Sequence, residues 1–316
     1  MLGRRDLLRA GAALSLFALG ACKKGATGKL KVQLNWVPEP EFGGLYAARA
    51  SGAFTRAGLD VDIVGGGPGS PVVQLVASGQ ADFGIAGASD VLIARERGAD
   101  VVAIFASFQH SPQGIMVRAS RNVARLEDLK DGTLALEPGL PFAQWVKKKY
   151  GFAGVAVVPY DGGVAKFIAD EKYAQQCYVT SEPIAARKKG VEPKVFASAD
   201  TGFDPYENCV ITSGKLLAER LATAKAFAGA VREGWTAYLA DPSAANAEMG
   251  KLNAAMDADT FAKAAAAQLS LVKTAETDAS GLGAMTRDRW ARLGEQLVEL
   301  GTIKKAAPPE ECFHAL

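Results

Sequence analysis

Short apolar runs alternate with amphipathic stretches along the first two thirds of the chain. Runs of four to six residues bounded by Gly, Pro, Asp or Ser are typical of buried strands. The predicted strands are Leu30–Asn35, Val61–Val64, Phe83–Ala86, Val101–Ala106, Gly114–Val117, Thr133–Glu137, Val155–Val158, Gln176–Thr180 and Lys194–Ala197. The predicted helices between them are Gly44–Phe54, Pro71–Ser78, Ser89–Arg97, Phe142–Tyr150, Val164–Ala169 and Ile184–Lys189. Because strand and helix alternate in two successive series, the pattern predicts two α/β lobes with helices covering mainly parallel sheets.

From Leu216 onward the pattern is almost wholly helical. Apolar residues recur there at helical spacing: Phe227, Val231, Trp235, Tyr238 and Leu239, and again Trp290, Leu293, Leu297 and Leu300. Each of these helices therefore has one apolar stripe to bury. A regular stripe is what packing alone selects, so we interpret Trp235 and Trp290 as core residues rather than ligand contacts.

The first 21 residues have the pattern of an export signal. Arg4 and Arg5 precede an apolar run, 10–19, which is too short to span a bilayer of about 30 Å. The ending Leu-Gly-Ala before Cys22 resembles the lipobox of bacterial lipoproteins, which implies lipidation of Cys22. The paired arginines also resemble a twin-arginine leader. An ordinary cleaved leader with a free Cys22 is the alternative. We expect an exported protein, lipid-anchored on the periplasmic side or at the cell surface, with residues 22–28 as a tether.

Composition limits the classes of partner. A hydrophobic content of 49% supports a sizeable core, and the length allows two domains or one large one. The 36 Lys and Arg nearly balance the 34 Asp and Glu, so there is no electrostatic case for nucleic acid. Cys177, Cys209 and Cys312 lie far apart in the sequence. One disulfide is possible in an exported protein, although buried structural cysteines are the favoured interpretation.

No set of residues typical of catalysis stands out. The chain has two histidines, His110 and His314, at no spacing that would build an imidazole metal site, so we expect no metal. No nucleophile motif is present. The loop 65–70, rich in glycine, follows a strand and could hold an anion at the next helix N-terminus. It lacks the ending of a nucleotide P-loop, and a flexible turn that borders a cleft is the favoured interpretation.

Five segments resemble a known family. They are Asn35-Trp36-Val37-Pro38, the Gly-Leu-Asp-Val ending of 52–61, the run Leu75-Val76-Ala77-Ser78-Gly79-Gln80-Ala81-Asp82-Phe83-Gly84, and the segments Val164-Ala165-Lys166 and Tyr178-Val179-Thr180-Ser181-Glu182-Pro183. Together they resemble solute-binding proteins related to thiamine-pyrimidine synthase and to the sulfonate-binding SsuA type. The resemblance covers roughly residues 30 to 215.

The resemblance implies a type II periplasmic-binding fold, in which two lobes hold a ligand between them. Lobe 1 would comprise 29–110 and 214–316, with the helical C-terminal part packed on it, and lobe 2 would comprise 111–213. The chain would leave lobe 1 near 109–111 and return near 212–214. Sites of this kind lie beyond the carboxyl ends of parallel strands, and hinge closure surrounds the ligand.

That rule selects the candidate ligand-binding residues. They are Trp36, Glu41, Ser89, Asp90, Gln109, Glu137, Asp161, Glu182 and Tyr206. Trp36 could stack on an aromatic ligand, which we favour, or plug the lobe. Asp90 could instead cap its helix, and Glu182 could complement a helix dipole. Glu39 and Glu41 are most safely interpreted as solvated loop carboxylates.

The same family includes pyrimidine synthases that use pyridoxal phosphate and a histidine of their own chain. The resemblance places their lysine and histidine at Ala86 and Asp90 of this sequence, and their cysteine-rich run where only Cys209 occurs. Synthase activity is therefore the disfavoured alternative. The main hypothesis is a monomeric, cofactor-free solute-binding component of an ABC importer that delivers a heteroaromatic ligand to a permease and its ATPase. A tethered ligand sensor is the other alternative.

Overall fold

Two five-stranded sheets organise the molecule. The computed structural model describes residues 28–316, so the export signal and Cys22 lie outside the described residues. The strands are β1 Leu30–Gln33, β2 Val61–Val64, β3 Phe83–Ala86, β4 Val102–Phe108, β5 Gln113–Arg118, β6 Thr133–Leu136, β7 Ala156–Pro159, β8 Tyr173–Tyr178, β9 Pro193–Ala197 and β10 Glu207–Thr212. The strand order is β2-β1-β3-β10-β4 in the first sheet and β7-β6-β8-β5-β9 in the second. We call the parts built on these sheets lobe 1 and lobe 2.

Helices cover both sheets. They are α1 Gly43–Ala50, α2 Ala53–Arg56, α3 Val72–Ala77, α4 Ala88–Glu96, α5 Pro141–Tyr150, α6 Ala165–Ala169, α7 Glu182–Lys188, α8 Gly214–Ala240, α9 Ser243–Leu252, α10 Ala258–Ala267, α11 Leu269–Val272, α12 Ala275–Ser280, α13 Arg287–Glu299 and α14 Pro309–Cys312. No helix in residues 28–316 is long and apolar enough to cross a membrane.

Each sheet contains one antiparallel strand that arrives from the other lobe. β5 follows the first crossing segment, 109–112, and pairs antiparallel with β8 and β9. β10 follows the second crossing segment, 198–206, and pairs antiparallel with β3 and β4. The strand β10 was not predicted from the sequence, which placed the return to lobe 1 near 212–214. The pairing of β10 instead places the chain in lobe 1 from Glu207 onward.

The helical C-terminal part packs on lobe 1, as expected. α8 lies along α1, α13 lies against α4, and the backbone N–H of His314 donates to the carbonyl of Ala103 at 2.8 Å. Trp235 and Trp290 are each 1% exposed, which confirms that the apolar stripes supply core residues. The predicted α/β fold class, two lobes with a helical end on lobe 1, is confirmed.

The predicted elements differ in detail from the observed ones. The helix expected over 44–54 is broken between α1 and α2, where Gly52 adopts a left-handed conformation with φ of 75°. β8 begins at Tyr173, three residues before the expected Gln176. Cys177, Cys209 and Cys312 are all free and buried, so the three described cysteines act as small core residues.

Candidate functional site

The turn after β1 brings two carboxylates to the edge of lobe 1 that faces lobe 2. Trp36 leaves the end of the strand with its side chain 40% exposed. Glu41 follows in a 3-10 turn, Pro40–Phe42, and is only 9% exposed. The expectation that Glu41 is a solvated loop carboxylate was therefore wrong. Glu39, in contrast, is half-buried.

Residues distant in sequence bury this turn. The amide of Asn253 donates to the carbonyl of Pro38 at 3.2 Å, and the amide of Gln268 donates to that of Pro40 at 2.8 Å. The amide of Asn208 donates to the carbonyl of Glu41 at 3.3 Å. Asn208 itself has a φ of 48°, a left-handed conformation that Asn tolerates better than most residues. Three amide side chains therefore fix the backbone that carries the two carboxylates.

Two further carboxylates of lobe 1 meet at the backbone of Gly87. The N–H of Gly87 donates to Asp90 Oδ2 at 3.1 Å, so Asp90 caps the first turn of α4. A side chain at Gly87 would lie 2.6 Å from Glu207 Oε2 and 3.4 Å from Asp90 Oδ2. Glu207 and Asp90 are thus neighbours across this glycine. The capping role proposed for Asp90 is confirmed, and its carboxylate also borders a cavity.

Lobe 2 contributes Glu182 from the first turn of α7. Glu182 accepts hydrogen bonds from the backbone N–H of Tyr178 at 2.7 Å and from the Tyr160 hydroxyl at 2.9 Å. It lies close enough to Glu39 and Glu41 to raise their pKa values by charge repulsion. We call Glu39, Glu41, Asp90, Glu182 and Glu207 the acidic cluster.

Burial and mutual repulsion raise the pKa values of several carboxyl groups in this cluster. Burial, reinforced by repulsion from Glu39, raises the pKa of Glu41 to about 8. Burial, followed by repulsion from Glu182, raises the pKa of Glu39 to about 7. Burial, followed by repulsion from Asp90, raises the pKa of Glu207 well above its ordinary value. No Lys or Arg side chain of the described residues lowers any of these three pKa values. A ligand that donates hydrogen bonds or carries positive charge would supply the missing partner.

Three further predicted site residues, Glu137, Asp161 and Ser89, lie outside the acidic cluster. Glu137, at the end of β6, is exposed and accepts from the amide of Gln176 at 3.3 Å. Asp161 is exposed and forms an ion pair with Lys166 at 2.7 Å. Ser89 is buried in the first turn of α4. The structure brings Glu41, Asp90 and Glu182 together, and it leaves Asp161 paired on the surface of lobe 2.

Gln109 and Tyr206 support the crossing segments. The amide of the buried Gln109 donates to the carbonyls of Ala106 and Ala284 at 3.2 and 3.0 Å. The hydroxyl of the buried Tyr206 accepts from the N–H of Thr286 at 3.0 Å, and the Arg289 guanidinium lies 3.9 Å from its ring centroid. Their hydrogen-bonding groups are used within the protein, so both side chains have structural contacts where the sequence suggested ligand contacts.

Sequence reasoning missed three members of this region. Glu207 begins the unrecognised strand β10, and the short apolar run 209–211 was the signal that could have revealed it. Glu39 was set aside with the solvated loop residues. Tyr178 was noted only within a family motif. Burial, followed by repulsion from Glu41, raises the pKa of the Tyr178 hydroxyl, so this group stays protonated beside the carboxylates.

A lysine bridges the two lobes beside the site. Lys188, at the end of α7 in lobe 2, donates to both carboxylate oxygens of Asp257, at 2.7 and 2.8 Å, and to Thr260 Oγ1 at 2.7 Å. Asp257 caps α10 by accepting from the N–H of Thr260 at 2.8 Å. Lys188 therefore joins the end of α7 in lobe 2 to the first turn of α10 in lobe 1.

We expect Lys188→Ala to weaken ligand binding about two- to fivefold, because only the closed state gains this ion pair. Titration calorimetry of the variant with any bound heteroaromatic probe measures the change. Lys189→Ala is the matched control, since Lys189 is exposed and its ammonium group has no hydrogen-bond or ion-pair partner among residues 28–316. Equal dissociation constants for Lys188→Ala and the unmodified protein would contradict the expected role.

The site has the chemistry of a binding cleft. Carboxylates from both lobes face each other beside an exposed indole, and two crossing segments connect the lobes. Among the described residues no group of three or more His, Cys, Asp or Glu side chains is placed to hold a metal ion. Two α/β lobes with one exchanged strand each and two crossings define a type II periplasmic-binding-protein fold.

Comparison with known proteins identifies the family. The model of the NMT1/THI5-like family matches residues 39–245, and the chain belongs to that family. A formylaminopyrimidine-binding protein of Halalkalibacterium halodurans is 26% identical over 221 residues, which cover 65% of this chain and 66% of that protein. The riboflavin-binding protein RibY of Chloroflexus aurantiacus is 24% identical over 238 residues, which cover 69% of this chain and 64% of that protein. The matches thus span slightly less than two thirds of these relatives.

A solved structure shows the same fold. The periplasmic aliphatic sulphonate-binding protein SsuA of Escherichia coli superposes with a TM-score of 0.66, covering 90% of this chain and 91% of that one. At 13% identity this likeness concerns the fold alone. The resemblance inferred from the sequence motifs is confirmed by the family match and by this fold.

Proposed function

We propose that this protein is the solute-binding component of an ABC importer and that it captures a flat heteroaromatic molecule between its lobes. Relatives named for binding formylaminopyrimidine and riboflavin support a heteroaromatic ligand. The fold supports capture by closure of two lobes around the ligand. The ligand then passes to a membrane permease and its ATPase.

The observation that carries the proposal is the acidic cluster beside Trp36. An indole face that is 40% exposed can stack on a planar ring. Carboxylates without a basic partner suit the amino groups and protonated ring nitrogens of aminopyrimidines. A sulfonate or nitrate is an anion and would instead require a cation in the cleft. The carboxylates of the cluster would repel such an anion. The chemistry of the cluster thus favours a neutral or cationic ring.

We expect Trp36→Ala to weaken binding of riboflavin or formylaminopyrimidine roughly tenfold, the value of one good stacking contact. Titration calorimetry gives the dissociation constants after a thermal-shift screen has shown which ring binds, since a true ligand raises the melting temperature. Trp36→Phe keeps an aromatic face and should lose much less affinity. Unchanged affinity in Trp36→Ala would remove this residue from the site.

The same proposal includes a route to the membrane. Residues 1–21 act as an export signal, residues 22–28 as a tether, and Cys22 as the site of lipidation on a monomeric protein outside the cytoplasm. The positions Leu19, Gly20 and Ala21 before Cys22 support this proposal. Mass spectrometry of the membrane-extracted protein tests it. A lipidated N-terminal Cys22 is the expected result, and an intact leader or an unmodified Cys22 would exclude the anchor.

Pyrimidine synthase activity fits the site less well. The resemblance places the cofactor lysine at Ala86, and in the structure Ala86 ends β3 beside the cavity that Asp90 borders. No lysine lines that cavity, so no amine is present there to form a Schiff base with pyridoxal phosphate. Buried carboxylates also suit noncovalent capture of a ring better than binding of its phosphate.

A further inference from the structure

A groove of about 420 Å³ runs between α3 and α4 on lobe 1, with the end of β3 as its floor. We call it the α3–α4 groove. Its volume lies within the range of small-molecule sites. Asn35 lines the end nearest the acidic cluster, and its Oδ1 is buried without a hydrogen-bond partner in the described residues.

One face of α4 forms a wall of this groove. Asp90, Ile93, Ala94 and Arg97 are spaced by three, four and seven residues, so they lie on one side of the helix. Arg97 follows Asp90 by about 10 Å along the helix axis, at 1.5 Å per residue. The wall therefore has a carboxylate at one end, a guanidinium at the other and apolar side chains between them.

The facing wall is partly apolar. Val73 and Ala77 of α3 line the groove opposite α4 together with the polar Ser70 and Gln74, and Ile85 of β3 lies in the floor. The apolar side chains along its middle favour an apolar group of a ligand over a free ion. The shape suits an elongated ligand rather than a small inorganic anion.

The guanidinium at the outer end is available. Arg97 is exposed, and its guanidinium forms no hydrogen bond or ion pair with any residue of 28–316. Arg95, two residues earlier, is paired with Asp100 at 3.4 Å and with Glu311 at 3.2 Å. The pairing of Arg95 shows that acidic partners are within reach of this helix end, and Arg97 is turned away from them toward the groove.

We propose that the α3–α4 groove is an extension of the binding site that holds the apolar middle and the anionic end of an elongated ligand, with Arg97 on the anion. This inference rests on the proposed function, because the ring of the same ligand would occupy the acidic cluster. The ligand class is then a heteroaromatic ring with a phosphate or carboxylate roughly 10 Å away.

Paired probes test the anionic end. Riboflavin 5′-phosphate should bind the unmodified protein about fivefold more tightly than riboflavin, and the preference should fall as salt is raised. Arg97→Ala should abolish the preference and leave riboflavin binding unchanged. Arg292→Ala, which removes an exposed arginine of α13, should keep the preference for riboflavin 5′-phosphate. Equal affinities for the two probes, or a preference that survives in Arg97→Ala, would overturn the proposal.

A fragment tests the groove even if neither flavin binds. Phenyl phosphate should shift the backbone amide resonances of residues in α3 and α4 in NMR spectra of the isotopically labelled protein. The shifts should disappear in Arg97→Ala and in the groove-filling variant Ala77→Phe, and they should persist in Arg292→Ala. Shifts elsewhere, or none, would overturn the proposal of a groove site. Groove binding of phenyl phosphate without flavin binding would instead count against riboflavin as the ring of the ligand.

Discussion

Gly234→Ala should destabilise the protein by about 3 kcal/mol, although alanine normally favours a helix over glycine. Gly234 lies in α8, where the helix crosses α1. A methyl group at this position would lie 2.0 Å from the carbonyl oxygen of Gly44 and 2.7 Å from Ala48 Cβ. Neither a backbone carbonyl nor a buried neighbouring helix can yield without moving α1, and α1 follows directly on the turn that carries Glu41.

A second glycine on the same helix provides the control. Gly229 is exposed, and an added methyl group there would meet nothing within 4 Å. Gly229→Ala should therefore stabilise the protein by up to about 1 kcal/mol. Urea unfolding followed by circular dichroism should move the midpoint in opposite directions for the two variants. A higher midpoint for both would show that α1 and α8 are not packed through their glycines.

The contact between α1 and α8 explains why the pattern of the C-terminal helices was informative. The stripe that contains Trp235 predicted a buried face, and Trp235 is indeed buried against Gly44 of α1. Local periodicity is sufficient for such a prediction because the hydrophobic face repeats within one helix. It does not say which helix provides the partner surface.

The strand β10 shows the limit of local patterns. Its apolar part, 209–211, is short, and Asn208 interrupts the regular backbone with a φ of 48°. The strand is defined by pairing with β3 and β4, which are about a hundred residues away in sequence. Only this non-local pairing brings Glu207 next to Asp90, so the sequence could not reveal that pair.

The burial of Glu41 also depends on contacts with residues distant in sequence. Its neighbours in sequence are prolines and another carboxylate, a composition typical of a solvated loop. Asn253 and Gln268, more than two hundred residues later, bind the backbone of this loop and help to bury it. The rule that sites lie beyond the carboxyl ends of parallel strands selected Trp36 and Glu182 from the sequence, whereas the acidic cluster as a whole depends on tertiary packing.

The stability of the ligand-free protein should fall by about 3 kcal/mol between pH 5 and pH 8. Glu41 has a pKa of about 8 in the folded protein, compared with an ordinary value of 4.5. The folded state therefore keeps a proton that the unfolded chain has released above about pH 5. The stabilisation is complete below the unfolded pKa and is lost as the pH rises through the folded one. Urea midpoints at pH 5 and pH 8 measure the fall.

Glu41→Gln isolates the contribution of this one carboxyl group. Glu39, whose pKa burial raises to about 7, also loses a proton in this range, so only the difference between variant and unmodified protein is diagnostic. The variant should be more stable by about 3 kcal/mol at pH 8 and nearly equal at pH 5. Glu219→Gln, on the exposed side of α8, should change neither value.

The same variant separates stability from binding. A glutamine at position 41 cannot carry the negative charge that a cationic ring would neutralise, so Glu41→Gln should bind the ring more weakly while resisting urea better at pH 8. Opposite changes in affinity and stability are expected of a carboxylate that is retained for binding at a cost to the fold. If the variant showed both lower affinity and lower stability at pH 8, Glu41 would be a structural residue. The acidic cluster would then not be the part of the cleft that selects the ligand.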